Sequence, residues 1–141
     1  MVSMHSEAPL ISSAFSIEGK DFDPDECTKA IGIQPNEIGR IGEKLRPDSL
    51  GTLKISFWSI SFIKEATYDL DEGLVKVLET MWPKREKILE YLRVGSFDNA
   101  AFSSTVNIYV DRPLYRIRPE VLRRFAFFGV EYIFDVHDYS E

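Results

Sequence analysis

Hydrophobic and polar positions change period several times along this chain, and each change marks an element. Over Ala14–Glu18, Phe15 and Ile17 alternate with Ser16 and Glu18, the period of a half-buried strand. Gly19 opens a turn, and a short helix with both ends marked follows. The Asp23 carboxylate suits a helix N-cap, Pro24 stands at the first helical position, and Glu26 completes an acidic capping box. Phe22 and Cys27 are spaced as a hydrophobic staple, while Cys27, Ala30 and Ile31 share one face. Gly32 stops the helix and Pro35 prevents its resumption.

The period then vanishes over Ile33–Thr52, a stretch with Gly39, Gly42, Gly51, Pro35 and Pro47. Part of it, Glu37–Leu45, is compatible with a helical turn. A structureless loop of this length in a small domain is uncommon and often functional. Arg40, Glu43, Lys44 and Arg46 therefore form a candidate cationic recognition loop for a carboxylate, a phosphate or an acidic partner. The plain alternative is a solvated connection with ordinary surface charges. Leu53–Ile63 is the clearest strand, with Trp58, Ile60 and Phe62 on one face and Leu53, Ile55 and Phe57 on the other. Apolar residues on both faces imply cover on both sides. Trp58 has two readings, a core side chain or a ligand platform beside the basic loop.

A helical period runs over Asp69–Arg93. Asp69, Asp71 and Glu72 crowd its start, where negative charge suits the helix dipole, and Leu70, Leu74, Val77, Leu78 and Met81 give the apolar stripe. Pro83 predicts a break near Trp82, with a second helix over Lys84–Leu92. Ala101–Val110 is a strand with Phe102, Val106, Ile108 and Val110 inward and the polar Ser103, Thr105, Asn107 and Tyr109 on a face suited to shallow binding. Pro119–Phe128 is a helix ended by Gly129, with Val121, Leu122, Phe125 and Phe128 inward, Phe127 outward and Arg118 a poor cap. Val130–Tyr139 alternates again as a last strand.

The run F-S-I-E-G-K-D-F-D-P-D-E-C-T-K-A-I-G-I-Q-P, the later R-I-G-E-K and the F-W-S-I strand together resemble an uncharacterised bacterial family, the domain of unknown function 4279. The resemblance extends from about Ala14 to Tyr139. Cys27 and Ile31 depart from the aliphatic residue and the leucine usual there, and both changes keep the face apolar. The resemblance implies a small α+β domain and supplies no catalytic residues. By analogy it suggests an immunity protein beside a secreted toxin.

Composition narrows the function classes. At 141 residues the chain is expected to hold a loose N-terminus over 1–13 and a single α+β domain over 14–141. Its net charge of −6 disfavours nucleic acid and anionic membranes and favours a basic partner. One cysteine excludes an internal disulfide, and the lack of a leader or long apolar run makes the cytoplasm the default location.

Candidate chemistry is sparse. Asp21, Asp23 and Asp25 have carboxylate spacing, but Glu26 and Gly32 stand where a calcium loop needs glycine and glutamate, so no metal is expected. His137 between Asp135 and Asp138 is the one place for a general base or a metal ligand, and Cys27 falls on a buried face with no base placed beside it. Arg112, Arg116, Arg118, Arg123 and Arg124 read as a solvated helix face, with an anion or nucleic-acid site as the alternative. No catalytic residues and no cofactor are assigned.

The expected fold is α+β: about four strands in a mixed or antiparallel sheet, with three to four helices mainly on one face. The expected function is non-catalytic binding in a bacterial cell, with a toxin-neutralising immunity protein as the specific form and a basic protein such as a toxin as partner. The alternative is an anionic-ligand or enzymatic domain using the 40–46 loop with Trp58. A third reading is a homo-oligomer paired through an edge strand or Phe127.

Overall fold

The computed structural model describes residues 7–44 and 46–140, with 63–65 as backbone alone. The elements are strand β1 (Leu10–Gly19), helix α1 (Pro24–Ile31), strand β2 (Glu37–Gly39), strand β3 (Ser56–Ala66), helix α2 (Asp71–Met81), a 3₁₀ turn (Trp82–Lys84), helix α3 (Arg85–Val94), strand β4 (Asn99–Ile108), helix α4 (Pro119–Phe128) and strand β5 (Glu131–Asp138). The strands form one sheet in the order β2-β3-β1-β4-β5. β1 is central and antiparallel to both β3 and β4; β2 is antiparallel to β3, and β5 is parallel to β4. The chain is thus an α+β domain with a mixed sheet.

Alternation in β1 sorts its side chains between two unlike environments. Phe15 and Ile17 are fully buried beside Trp58, Ile60 and Phe102, which their neighbours supply, and this layer packs on Leu74, Leu78 and Met81 of α2 and Phe128 of α4. Phe15 sits at the centre of the aromatic contacts, 5.1 Å from Phe102 and 6.4 Å from both Trp58 and Phe128 between ring centroids. α2 lies so close to β1 that a Cβ on Gly73 would collide with Ser13 Oγ, so glycine is what permits the approach.

The ends of α1 follow from its sequence. Asp23 Oδ1 accepts the Asp25 amide at 2.9 Å, Pro24 leads the helix, and Gly32 closes it at φ 79°. Phe22 and Cys27 are both buried as the staple. The break at Pro83 is real: the helix tightens into the 3₁₀ turn and restarts as α3. α4 runs from Pro119 to Gly129, which has φ 66°.

Several expectations are corrected. The sheet has five strands, because part of the aperiodic stretch, compatible in sequence with a helical turn, pairs instead with β3 at Glu37–Gly39; Leu45 lies outside the described residues. Three residues carry too little alternation to announce a strand. β1 starts at Leu10 rather than Ala14, so 10–13 are strand; residues 1–6, with His5, lie outside the described residues. β3 starts at Ser56 rather than Leu53 and carries helices on one face only. Phe57 on the other face is half-buried over Gly39 and Leu53, a local contact rather than a second layer. In α4, Leu122 is exposed while Phe127 is half-buried against Trp82, 5.5 Å between rings. The alternation in β5 assigned no inward face; Phe134 and Val136 are exposed there, the helix layer reaching only as far as Tyr132.

Candidate binding surface

The sequence-nominated loop is an arm. Gly42 donates to the Leu53 carbonyl at 3.0 Å and Leu53 to the Glu43 carbonyl at 2.8 Å, continuing the β2–β3 hairpin beyond the sheet. Gly42 has φ 91°, a turn conformation that glycine adopts without strain. Arg40 and Glu43 hold the base of this arm. The Arg40 guanidinium meets Asp25 of α1 at 2.6 Å, and its amide donates to Glu43 Oε1 at 2.8 Å. Bonding to Asp25 raises the Arg40 pKa, but both groups are exposed, and such a pair contributes little to stability.

An open cleft of about 390 Å³ next to this pair is lined by Lys20 and Arg40 together with Asp23 and Asp25. Its charges offset each other and give no preference for an anion. Lys44 and Arg46 are exposed further along the arm, and Leu50 stands fully in solvent.

Trp58 is separate from the arm's surface. It is fully buried, and its Nε1 donates to Thr28 Oγ1 at 2.9 Å, tying β3 to α1. This is the core alternative for that residue, and it leaves no ring face open to a ligand. The structure therefore brings Arg40 and Glu43 together and leaves Lys44, Arg46 and Trp58 apart from them.

Nucleophile and base candidates are equally scattered. Cys27 is fully buried, and desolvation pushes its thiol up to about 12, so it is protonated at neutral pH. His137 Nε2 lies 3.0 Å from Asp135 on the exposed sheet edge. The buried carboxylate the sequence reading passed over as a helix-dipole partner is Asp71. It accepts the Arg118 amide at 2.9 Å and a guanidinium N–H of the same residue, while Asp69 takes the other N–H at 2.9 Å. Burial raises the Asp71 pKa; burial is also the largest single influence on Asp69, but the hydrogen bonds from Arg118 and Asp71 and the attraction of the Arg118 charge together outweigh it, and the pKa falls. This clamp pins the entry of α4 to the start of α2. The remaining arginines of that segment disperse, Arg112 to Asp138 at 2.6 Å and Arg124 over the Trp82 ring at 4.7 Å. Among the described residues no cluster of histidine, cysteine or acidic groups could hold a metal ion, and no helix is long and apolar enough to cross a membrane.

The sheet face opposite the helices forms one organised surface. Glu37, Ser59, Ser16, Ala101 and Glu131 stand abreast across all five strands. Ser61, Ala14, Ser103 and Ile133 form the next row, then Ser12, Thr105 and Asp135. The floor is built of small and hydroxyl side chains, with Ser16 Oγ and Ser59 Oγ 3.0 Å apart. Carboxylates stand at its margins: Glu37 on one edge, Glu131 and Asp135 on the other, and Glu18 at one end beside Asn99, which donates to Glu131 at 2.8 Å. Local alternation marked Ser16, Glu18, Ser103 and Thr105 as one-sided, but their assembly into one surface depends on strand order.

No curated protein and no solved structure matches the chain at a significant level. A family model does match, over residues 9–139. With nearly the whole described chain covered by that match, the protein belongs to the family of the domain of unknown function 4279.

Proposed function

We propose that this protein acts by binding rather than by catalysis, and that its uncovered sheet face receives a basic protein partner. The observation carrying this reading is the hydroxyl floor framed by Glu18, Glu37, Glu131 and Asp135 on one face of the sheet. A flat floor of short side chains lets a partner approach closely, and the acidic frame together with the chain's net charge of −6 attracts positive charge from a distance. Neutralising a basic toxin inside a bacterial cell is the specific form of the proposal. A lone buried thiol is consistent with action in the cytoplasm, where thiols stay reduced.

The reading is tested by using the tagged full-length protein as bait in its native lysate at low salt, beside a bait carrying Glu18→Lys, Glu37→Lys and Glu131→Lys. A stoichiometric basic protein held by the first bait, lost from the second and released by salt supports it. A partner retained equally by both baits overturns the assignment of the surface. The second reading, an anionic ligand at the arm, is supported by the exposed Lys44 and Arg46 alone, since Arg40 is engaged by Asp25. It predicts a rise in melting temperature with phosphate or carboxylate metabolites that Arg46→Ala abolishes.

A further inference from the structure

The two edges of the sheet are finished differently. β2 exposes an edge of three residues, whereas β5 exposes one of eight and pairs only with β4. The Tyr139 amide donates to the Ile108 carbonyl of β4 at 2.7 Å, and the β4–β5 register runs without a shift. Odd-numbered amides of β5 therefore face β4, and those of Tyr132, Phe134 and Val136 face outward, where no strand of the described residues meets them. Apolar side chains accompany these amides: Ile133 is 46% exposed on one face, Phe134 43% and Val136 39% on the other. Natural edge strands are normally short, bulged or covered, and an exposed apolar edge of this length is a template for another strand.

We propose that β5 pairs antiparallel with β5 of a second copy of this chain, about a two-fold axis at Phe134, joining two five-stranded sheets into one. A two-fold axis perpendicular to the sheet keeps each face on its own side, so only residues of like parity oppose each other. Centred on Phe134, the pairing sets Tyr132 against Val136 and Phe134 against itself, an unbroken apolar stripe. On the other face it sets Glu131 opposite the imidazole of His137, twice by symmetry. Centring on Asp135 would oppose two carboxylates, and centring on Ile133 would place Glu131 against Asp135 twice. The Phe134 register is the one of the three that avoids like charges. It also makes Tyr132, Phe134 and Val136 the hydrogen-bonded positions, which are those with outward amides.

This pairing shares Glu131 with the basic-partner surface but has the opposite salt dependence. Two chains of net charge −6 repel, so added salt tightens the dimer, whereas it weakens a basic partner's attachment. The test is sedimentation equilibrium of the full chain from low to high micromolar concentration. Twice the monomer mass, favoured by salt, is expected. Val136→Pro removes an outward amide while sparing the bonds to β4, and should give a folded monomer by circular dichroism. His137→Glu sets a second carboxylate opposite Glu131, twice by symmetry, and should weaken the dimer about tenfold, and adding Glu131→Lys to it should restore pairing. A wild-type monomer at every concentration overturns the proposal, as does a dimer that a folded Val136→Pro leaves intact. Should Val136→Pro unfold, the charge swap decides: restoration supports the Phe134 register, and its absence overturns it.

Discussion

The two faces of the sheet are made by the same strands, yet they behave as different materials. On the helix side, Phe15, Ile17, Trp58, Ile60 and Phe102 are fully buried and touch one another. On the other side, directly beside them in sequence, Ser16, Ser61 and Ser103 carry almost no apolar area. The first face holds the domain together through the hydrophobic effect and close packing. The second contributes little to stability beyond backbone bonds, which frees its side chains for recognition. A surface that can be changed without unfolding the protein is where a binding function is most easily carried.

The sharpest way to break this contrast is Phe15→Ala, which removes the ring at the centre of the aromatic contacts. A loss of about 3–5 kcal/mol is expected in urea unfolding, enough to leave a domain of ordinary stability largely unfolded. A smaller loss, about 1 kcal/mol, is expected for Asp23→Ala, which leaves a first-turn amide of α1 without its acceptor. On the uncovered face, Ser103→Ala should stay within about 0.5 kcal/mol of wild type in the same assay. A large effect there would mean that the open face is structural after all.

The buried layer also makes a prediction about alkali. Desolvation holds the Cys27 thiol at about 12 against 9.0 in the unfolded chain, and the Tyr91 hydroxyl at about 12 against 10.0. Between those values the unfolded chain has lost a proton that the folded chain keeps, so unfolding becomes easier as pH rises. The stabilisation is complete below about pH 9 and lost toward pH 12. Thermal melts across that range should fall more steeply for wild type than for Cys27→Ala, and folded protein should resist thiol reagents at pH 8.

Much of this was legible locally. The cap, proline and glycine of α1, the break at Pro83 and the limits of α4 were all readable, because each depends on a few neighbouring residues. The α+β class followed from the same periods. β2 was not legible, since its three residues become a strand only through β3. The exposure of Phe134 and Val136 was hidden for a similar reason: their alternation matches that of a covered strand, and only the reach of the helix layer decides the difference. Among the candidate site residues, Arg40 and Glu43 did come together, but Asp25 as the partner of Arg40 lies fifteen positions away and carried no signal in sequence.

By itself the sequence determined which residues alternate, where helices begin and end, and that the charge is acidic. Those properties arise within a few residues of backbone. Tertiary structure alone decided that β1 is central, that the serines of β1, β3 and β4 share one floor, and that β5 is left as an open edge. Strand order is set by contacts between segments far apart in the chain, and their energies depend on which surfaces meet rather than on the pattern within either one.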